Sequence, residues 1–375
     1  MPGFEWIDIE EKLAVGKLFD DGGVLFAHGF DKLRKNYHVR EFEESCRNYF
    51  DCKHALAVSS GTAALKIALK AVGVKLGDEV ITQAFNFIAT VEAIIDCGAR
   101  PVIVNVDNSL NMDPVELEAS ITKKTTAIIP VNMLGVAADL SQIKTIGREN
   151  SIPIVEDNCE AIGAKISGKF LGTIGDVGIL SFDQGKMIAT GEGGMILTNN
   201  DTIDRYSREY HDHGHENNPS CPRGRDTKST PGFNYRMTEM QAVVGKVQLN
   251  KLNRMLSANK ERYDILEKTL KEKFELRKIP INSQPSWDTF IILEENQSLR
   301  EKIINLLNKK GIGTKNLPDA MEWHCSFFWN HALPKKQIQR SKRTKELLET
   351  AIAIPIWLRK ETSDYSELTE GILNL

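Results

Sequence analysis

Ala55-Leu-Ala-Val-Ser-Ser60-Gly-Thr-Ala-Ala-Leu65-Lys-Ile-Ala-Leu-Lys70-Ala-Val72 carries two different periodicities on either side of a single glycine. Residues 55–59 are an apolar run too short for a helix, which makes them a buried strand, whereas residues 62–72 repeat their apolar positions at helical spacing. Between them lies Ser59-Ser60-Gly61-Thr62. The free N–H groups and positive dipole end of such a helix start form an anion site, and glycine lets a phosphate come close to the backbone. By itself the segment reads equally well as an ordinary strand-to-helix connection with a Ser or Thr cap.

Outward from this unit the alternation continues. Glu79-Val-Ile-Thr82, Pro101-Val-Ile-Val-Asn-Val106, Thr126-Ala-Ile-Ile-Pro-Val131 and Ile152-Pro-Ile-Val-Glu156 read as further buried strands bounded by turn residues, with a helical stretch at 89–97. Strands alternating with helices predict an α/β fold with a largely parallel sheet. Residues 201–232 are polar and rich in His, Pro and Gly, and read as one long irregular segment, of the kind that is usually functional or mobile. Residues 237–271 read as a long helix, after which the pattern turns to α+β. Two domains are expected, a large one at 1–250 and a smaller one at 251–375, in keeping with a chain of 375 residues.

Composition narrows the function. The 48 basic and 51 acidic residues give a net charge of −3 and are mixed along the chain, so no basic stripe invites nucleic acid. Met1-Pro-Gly-Phe-Glu-Trp6 has neither the basic start nor the apolar core of a signal peptide, and no apolar run is long enough to span a membrane. Six scattered cysteines without a C-x-x-C pair suit thiols in a reducing compartment better than a disulfide framework or a zinc site. A cytoplasmic protein with no bound metal is expected.

Two further segments bear on chemistry. Val155-Glu156-Asp157-Asn158-Cys159-Glu160 sets acids at the end of a parallel strand, where open α/β sheets bind ligands. A carboxylate there can pair with a cationic ring nitrogen, such as that of pyridoxal phosphate (PLP), or can cap the following helix. Gly178-Ile-Leu-Ser181-Phe-Asp183-Gln-Gly-Lys186 leads from a strand into a turn with a lone lysine, and Thr190-Gly-Glu-Gly-Gly194 leads into another strand. A partly desolvated lysine in such a loop has a lowered pKa and serves as a Schiff-base nucleophile; a plain hairpin with a surface lysine has the same local pattern.

In their order and surroundings these three elements resemble the DegT/StrS family of sugar aminotransferases, fold-type-I PLP enzymes. The matching stretches are Ser60-Gly-Thr-Ala-Ala-Leu65, Gly77-Asp-Glu-Val80, Phe85-Asn-Phe-Ile-Ala-Thr90, Glu156-Asp157, Leu171-Gly-Thr-Ile-Gly-Asp-Val-Gly178, Ser181-Phe182, Lys186, Gly191-Glu-Gly-Gly194 and Gly232-Phe-Asn-Tyr-Arg-Met237. The resemblance runs from about Phe4 to beyond Gln248 and continues more weakly afterwards. It implies a large domain with a mostly parallel seven-stranded sheet and a small C-terminal α+β domain. It also implies that Lys186 carries PLP, that Asp157 pairs with the pyridine nitrogen and that Phe87 stacks on the ring. Gly61, Thr62 and Ser181 would bind the phosphate, and Asn234 would reach it from the neighbouring subunit of a homodimer with shared active sites. Two positions depart from the family pattern: Glu160, where Gln or His is usual beside the cofactor, and Asp183, where His or Tyr is usual.

The resemblance further implies L-glutamate as amino donor and a keto- or aldehydo-sugar as acceptor. Met1-Pro-Gly-Phe-Glu5, Ser181-Phe-Asp183 and His211-Asp-His-Gly-His215 are similar to the 8-amino-3,8-dideoxyoctulosonate transaminases, which aminate the C8 aldehyde of a 3-deoxy-octulosonate for lipopolysaccharide. His213, His215, Arg223, Trp323 and His324 are the candidate acceptor contacts; polar-loop, surface or core roles are the alternatives for them. A nucleotide-linked keto-sugar and a small phosphorylated ketone are the alternative acceptors. A PLP-dependent sugar dehydratase, in which this family has His in place of Lys186, and a non-catalytic PLP-binding protein are the alternative functions.

Overall fold

The computed structural model describes residues 3–375. Seven strands build the central sheet: β1 His54–Val58, β2 Glu79–Gln83, β3 Arg100–Val104, β4 Thr125–Ile129, β5 Val155–Asp157, β6 Val177–Ser181 and β7 Gly194–Thr198. β2 lies parallel to both β3 and β4, and β5 parallel to β6. Parallel bridges at Ile128–Ile154 and Val131–Asp157 join these two halves. β7 runs antiparallel between β6 and β1. The order is therefore β3-β2-β4-β5-β6-β7-β1, with β7 alone reversed, which is the mostly parallel α/β sheet expected. Every residue of β5, β6 and β7 is buried, because helices cover both faces; such strands read as continuous apolar runs and not as alternation.

The helices around this sheet include α1 Ile9–Asp20, α2 His38–Phe50, α3 Gly61–Ala71, α4 Ala89–Asp96, α5 Asp201–Tyr210 and the 32-residue α6 Glu239–Leu270. α6 begins at a capping box in which Thr238 accepts from Gln241 N and the Gln241 side chain reaches back. It crosses α2 at Gly245, where a Cβ would stand 2.6 Å from the Phe42 ring. α6 then continues unbroken past residue 250, where the boundary between domains was expected, and its last turns join a second core. There Tyr263, Leu266 and Leu270 meet Phe290, Ile292, Ile352 and Ile354. Those residues belong to an antiparallel sheet of β8 Glu275–Leu276, β9 Thr289–Leu293 and β10 Ala351–Pro355, covered by α7 Gln297–Lys309 and α8 Thr362–Leu373. Buried Arg277 ties the two parts together, donating from Nε to Ser109 O at 2.6 Å and from Nη1 to Leu134 O at 3.3 Å.

One expectation is corrected. Residues 201–210 are not irregular but form α5. Asn200 Oδ1 accepts from the N–H groups of Thr202 at 2.9 Å and Ile203 at 3.3 Å, and Ile203, Ser207 and Tyr210 make a buried stripe at i, i+4, i+7. The polar majority of the helix hid that narrow face. Beyond α5 the chain is largely turns and bridges, organised by buried Asp212, which accepts from Arg223 and Arg236.

β5 shows how the fold sets the site. Alternate residues of a strand point to opposite faces, so Glu156 and Asp157 part company. Glu156 turns into the protein, where Oε2 accepts from Gly172 N at 2.8 Å and Oε1 from Ile174 N at 2.6 Å and from Gly175 N. Burial pushes its carboxyl upward against these three donors. A buried donor left unpaired costs about 1–3 kcal/mol. Glu156→Ala should therefore destabilise the protein by about 3 kcal/mol or more in denaturant titration, and Glu156→Gln, which keeps an acceptor oxygen, should cost clearly less.

Candidate active site

The carboxyl ends of β5 and β6, the start of α3 and a loop of the small sheet's layer meet at a cleft of about 380 Å³. At its α3 end, Ser60 Oγ accepts from Ala63 N at 3.1 Å, which caps the helix. Gly61 sits so close to β6 that a Cβ would lie 2.9 Å from Ser181 Cβ and 3.2 Å from Cys159 Sγ. Close approach, and not backbone conformation, requires this glycine. Exposed Thr62 and buried Ser181 line the same end.

Asp157 lies on the floor, 4% exposed. Its Oδ2 accepts from Thr90 Oγ1 at 2.9 Å and its Oδ1 from Cys159 N at 3.2 Å. Burial raises its pKa; these donors and the charge of Lys186 pull the other way. Phe87 is half-exposed at the rim, its ring centroid 5.5 Å from that of His324. A bridge between Phe85 and Cys325 brings those two segments together, and Asn86 N donates to His324 O at 3.0 Å. His324 Nδ1 lies 2.8 Å from Ala320 O, and burial lowers the pKa of the ring. The imidazole is therefore held neutral with its Nδ1 proton donated to that carbonyl.

Lys186 stands in the loop between β6 and β7. Its N–H donates to Asp183 O at 2.9 Å, and Asp183 Oδ1 accepts from Gly185 N at 2.8 Å. Under the loop runs the 3-10 turn Gly3–Trp6, where a Cβ on Gly3 would fall 2.4 Å from Lys186 O. The Lys186 Nζ donates to Glu160 Oε1. This contact reverses the sequence expectation for the lysine. Burial alone would lower its pKa, but the Glu160 carboxylate raises it above the ordinary lysine value. Glu160 is the complement: burial would raise it, and Lys186 and Lys315 hold it down to about 2. Lys186 is therefore an ammonium in a largely buried ion pair, its side chain 16% and that of Glu160 7% exposed.

Eight of the sequence candidates thus line one cleft: Gly61, Thr62, Phe87, Asp157, Glu160, Ser181, Lys186 and His324. Five do not line the cleft of their own chain. Trp323 is 60% exposed. His213 is exposed, and Asn234 is exposed with its Oδ1 accepting from Arg236 N at 3.4 Å. His215 Nδ1 is 3.1 Å from Asp226 Oδ2, and Arg223 Nη1 donates to Asp212 Oδ2 at 2.6 Å. The last two are each paired with an acid of their own chain. Sequence reasoning missed Thr90, Lys315 and Asn316. Thr90 falls inside a stretch already matched to the family, three residues beyond Phe87. Lys315 and Asn316 sit in Gly313-Thr-Lys-Asn-Leu-Pro318, which carries no local sign of a site.

The residues fit PLP. A helix start closed to any Cβ suits a phosphate, a buried carboxylate suits a protonated ring nitrogen, and a lysine suits an aldehyde. Asn316 Nδ2 at the cleft and Glu160 Oε2 lack hydrogen-bond partners in the protein, so polar valences are left for a ligand. Among the described residues no group of three His, Cys, Asp or Glu side chains is placed to hold a metal ion. Thr90→Val removes one donor from Asp157 at nearly constant volume. The Asp157 carboxyl then rises further and takes up its proton at higher pH, which ends its pairing with a cation. Retention of PLP after gel filtration, followed by absorbance, should fail about one pH unit higher in Thr90→Val than in the wild type.

Comparison with known proteins agrees with this geometry. The model of the DegT/DnrJ/EryC1/StrS aminotransferase family matches residues 28–372. A GDP-perosamine synthase from Caulobacter vibrioides is 40% identical over 221 residues, and the match spans 59% of this chain and 58% of that relative's length. The GDP-perosamine synthase of Escherichia coli O157:H7 is 35% identical over 282 residues, 75% of this chain and 76% of that one. An aminotransferase from Psychrobacter cryohalolentis superposes with a TM-score of 0.83 at 26% identity, covering 97% of this chain and 95% of that one. The chain belongs to the DegT/DnrJ/EryC1/StrS aminotransferase family and is a PLP-dependent aminotransferase.

Proposed function

We propose that the protein transfers an amino group from L-glutamate to the carbonyl of a sugar destined for a surface polysaccharide, with Lys186 as the catalytic residue. The observation that carries this reading is the enclosed Lys186 Nζ in a cleft shared with Asp157 and the start of α3. PLP, when bound, supplies an aldehyde that links to amines and a ring that accepts the electrons of a breaking C–H bond. Asp157 supplies the buried anion for the ring nitrogen. Gly61, Thr62 and Ser181 bind the phosphate. Lys186 Nζ takes a proton from the α-carbon of the donor and delivers it to the C4′ carbon of the cofactor, and makes the reverse transfer with the acceptor in the second half of the cycle. Phe87 and His324 close the rim and restrict water.

A nucleotide-linked keto-sugar is the acceptor favoured by the perosamine synthase relatives. The octulosonate aldehyde is the second reading, and His211-Asp-His-Gly-His215 favours it. A homodimer in the cytoplasm completes the proposal. Asn234, His213 and Trp323 are then contributed across the interface, and exposed Ile9, Leu13, Phe30 and Leu33 find cover in a second copy. Among the described residues no helix is long and apolar enough to cross a membrane.

The test is a glutamate-dependent screen of nucleotide keto-sugars against octulosonate aldehydes. Lys186→Ala should reduce turnover by about 10³-fold or more with whichever acceptor reacts. A bound-PLP absorbance band that no amino donor alters would sink the aminotransferase reading. Product formed without consumption of glutamate would identify a dehydratase instead.

A further inference from the structure

Behind Lys186 lie three further charges that the reaction outlined above does not use, which with it make a row of four. Lys186 Nζ contacts Glu160 Oε1; Glu160 Oε2 stands 3.7 Å from Lys315 Nζ; and Lys315 Nζ donates to Asp288 Oδ2 at 2.6 Å. Asp288 Oδ1 in turn accepts from Ser286 Oγ at 2.9 Å. The side chains of Glu160, Lys315 and Asp288 are only 7%, 5% and 3% exposed. Signs alternate along the row, and its two halves come from different parts of the fold. Lys186 and Glu160 follow strands of the large sheet; Asp288 precedes β9 and Lys315 precedes the segment that carries His324.

A buried carboxylate in contact with one ammonium is costly unless a second charge or further hydrogen bonds complete its shell. Glu160 Oε2 has no hydrogen-bond partner in the protein, so Lys315 is the group that completes it. Lys315 is in turn fixed by Asp288 and not by Glu160, since the Asp288 contact is the shorter by far. Glu160 is thus held as an anion against the lysine nitrogen by a cation whose own position is set independently.

We propose that Glu160 is the positioning residue of Lys186, holding the lysine nitrogen in place and keeping a proton on it, and that Lys315, anchored by Asp288, is the counter-charge that limits how strongly it does so. The proposal rests on Lys186 as the lysine that carries PLP. The other titratable groups facing this nitrogen are Asp157 and Cys159 from the end of β5, Asp183 and Glu192 from the lysine loop, and His324 from the small part. All of these remain in the variants below, so a shift between variants reports the charge removed.

The measurement is the pH titration of the absorbance band of bound PLP, which reports protonation of the nitrogen that carries it, in the wild type, Glu160→Gln, Glu160→Asp and Lys315→Gln. Removing the anion should move the midpoint of Glu160→Gln down by at least about one pH unit, a tenfold change in the equilibrium. Glu160→Asp, which keeps the charge, should recover most of that shift. Lys315→Gln should move the midpoint upward, because it removes a charge of opposite sign. A salt bridge with only a structural role would change the melting temperature and leave the midpoints together. An unmoved Glu160→Gln therefore overturns the proposal, and a Lys315→Gln midpoint that fails to rise overturns the counter-charge assignment. A wild type that forms no band at all, with the chain folded by circular dichroism, fails the assignment of Lys186 itself.

Discussion

Taking an ammonium group out of water costs several kcal/mol unless an opposite charge meets it. Lys186 is enclosed, so the active site is built around that requirement. Glu160 answers it from the end of β5, and other regions complete the surroundings: the loop after β6 that presents the lysine, the Gly3–Trp6 turn beneath it, and the two separate segments that bring Asp288 and Lys315. The sheet order places the ends of β5 and β6 side by side, which lets residues 157, 160 and 181 face one space.

The sheet was legible because its strands are buried on both faces. Runs such as Thr126-Ala-Ile-Ile-Pro-Val131 have no rival reading once their length and flanking turns are counted. α6 was legible for another reason, its length. α5 was not, since a helix with a stripe as narrow as Ile203, Ser207 and Tyr210 is mostly polar in composition. The role proposed for Lys186 comes from the order of motifs and not from its own neighbours. Its electrostatics could not be read that way. The sign of its pKa shift is decided by Glu160 and moderated by Lys315, and neither lies near it in the chain. Charge partners across a fold leave no local trace in sequence.

The same limit explains the candidates outside the cleft. His215 and Arg223 were singled out for chemistry that suits a ligand, and both chemistries are satisfied at home, by Asp226 and Asp212. Buried Asp212 draws Arg223 and Arg236 to itself and so shapes the loop that carries Asn234. α6 bears a comparable burden at larger scale. Because it belongs to both cores without interruption, the small sheet is joined to the large one by a rigid rod, with Arg277 as a second tie.

The tight seat of Gly3 beneath the carbonyls of Lys186 and Met187 has a counterpart at the far end of the chain, where Leu358 N donates to Glu5 Oε2 at 2.8 Å. The segment that supports the lysine loop is thus itself held from two sides, by α6, whose Gln248 and Lys251 side chains donate to Trp6 O, and by the residues that follow β10. The shape of a loop that is local in sequence is therefore a property of the whole fold, because its support is drawn from segments on both sides of it in the chain.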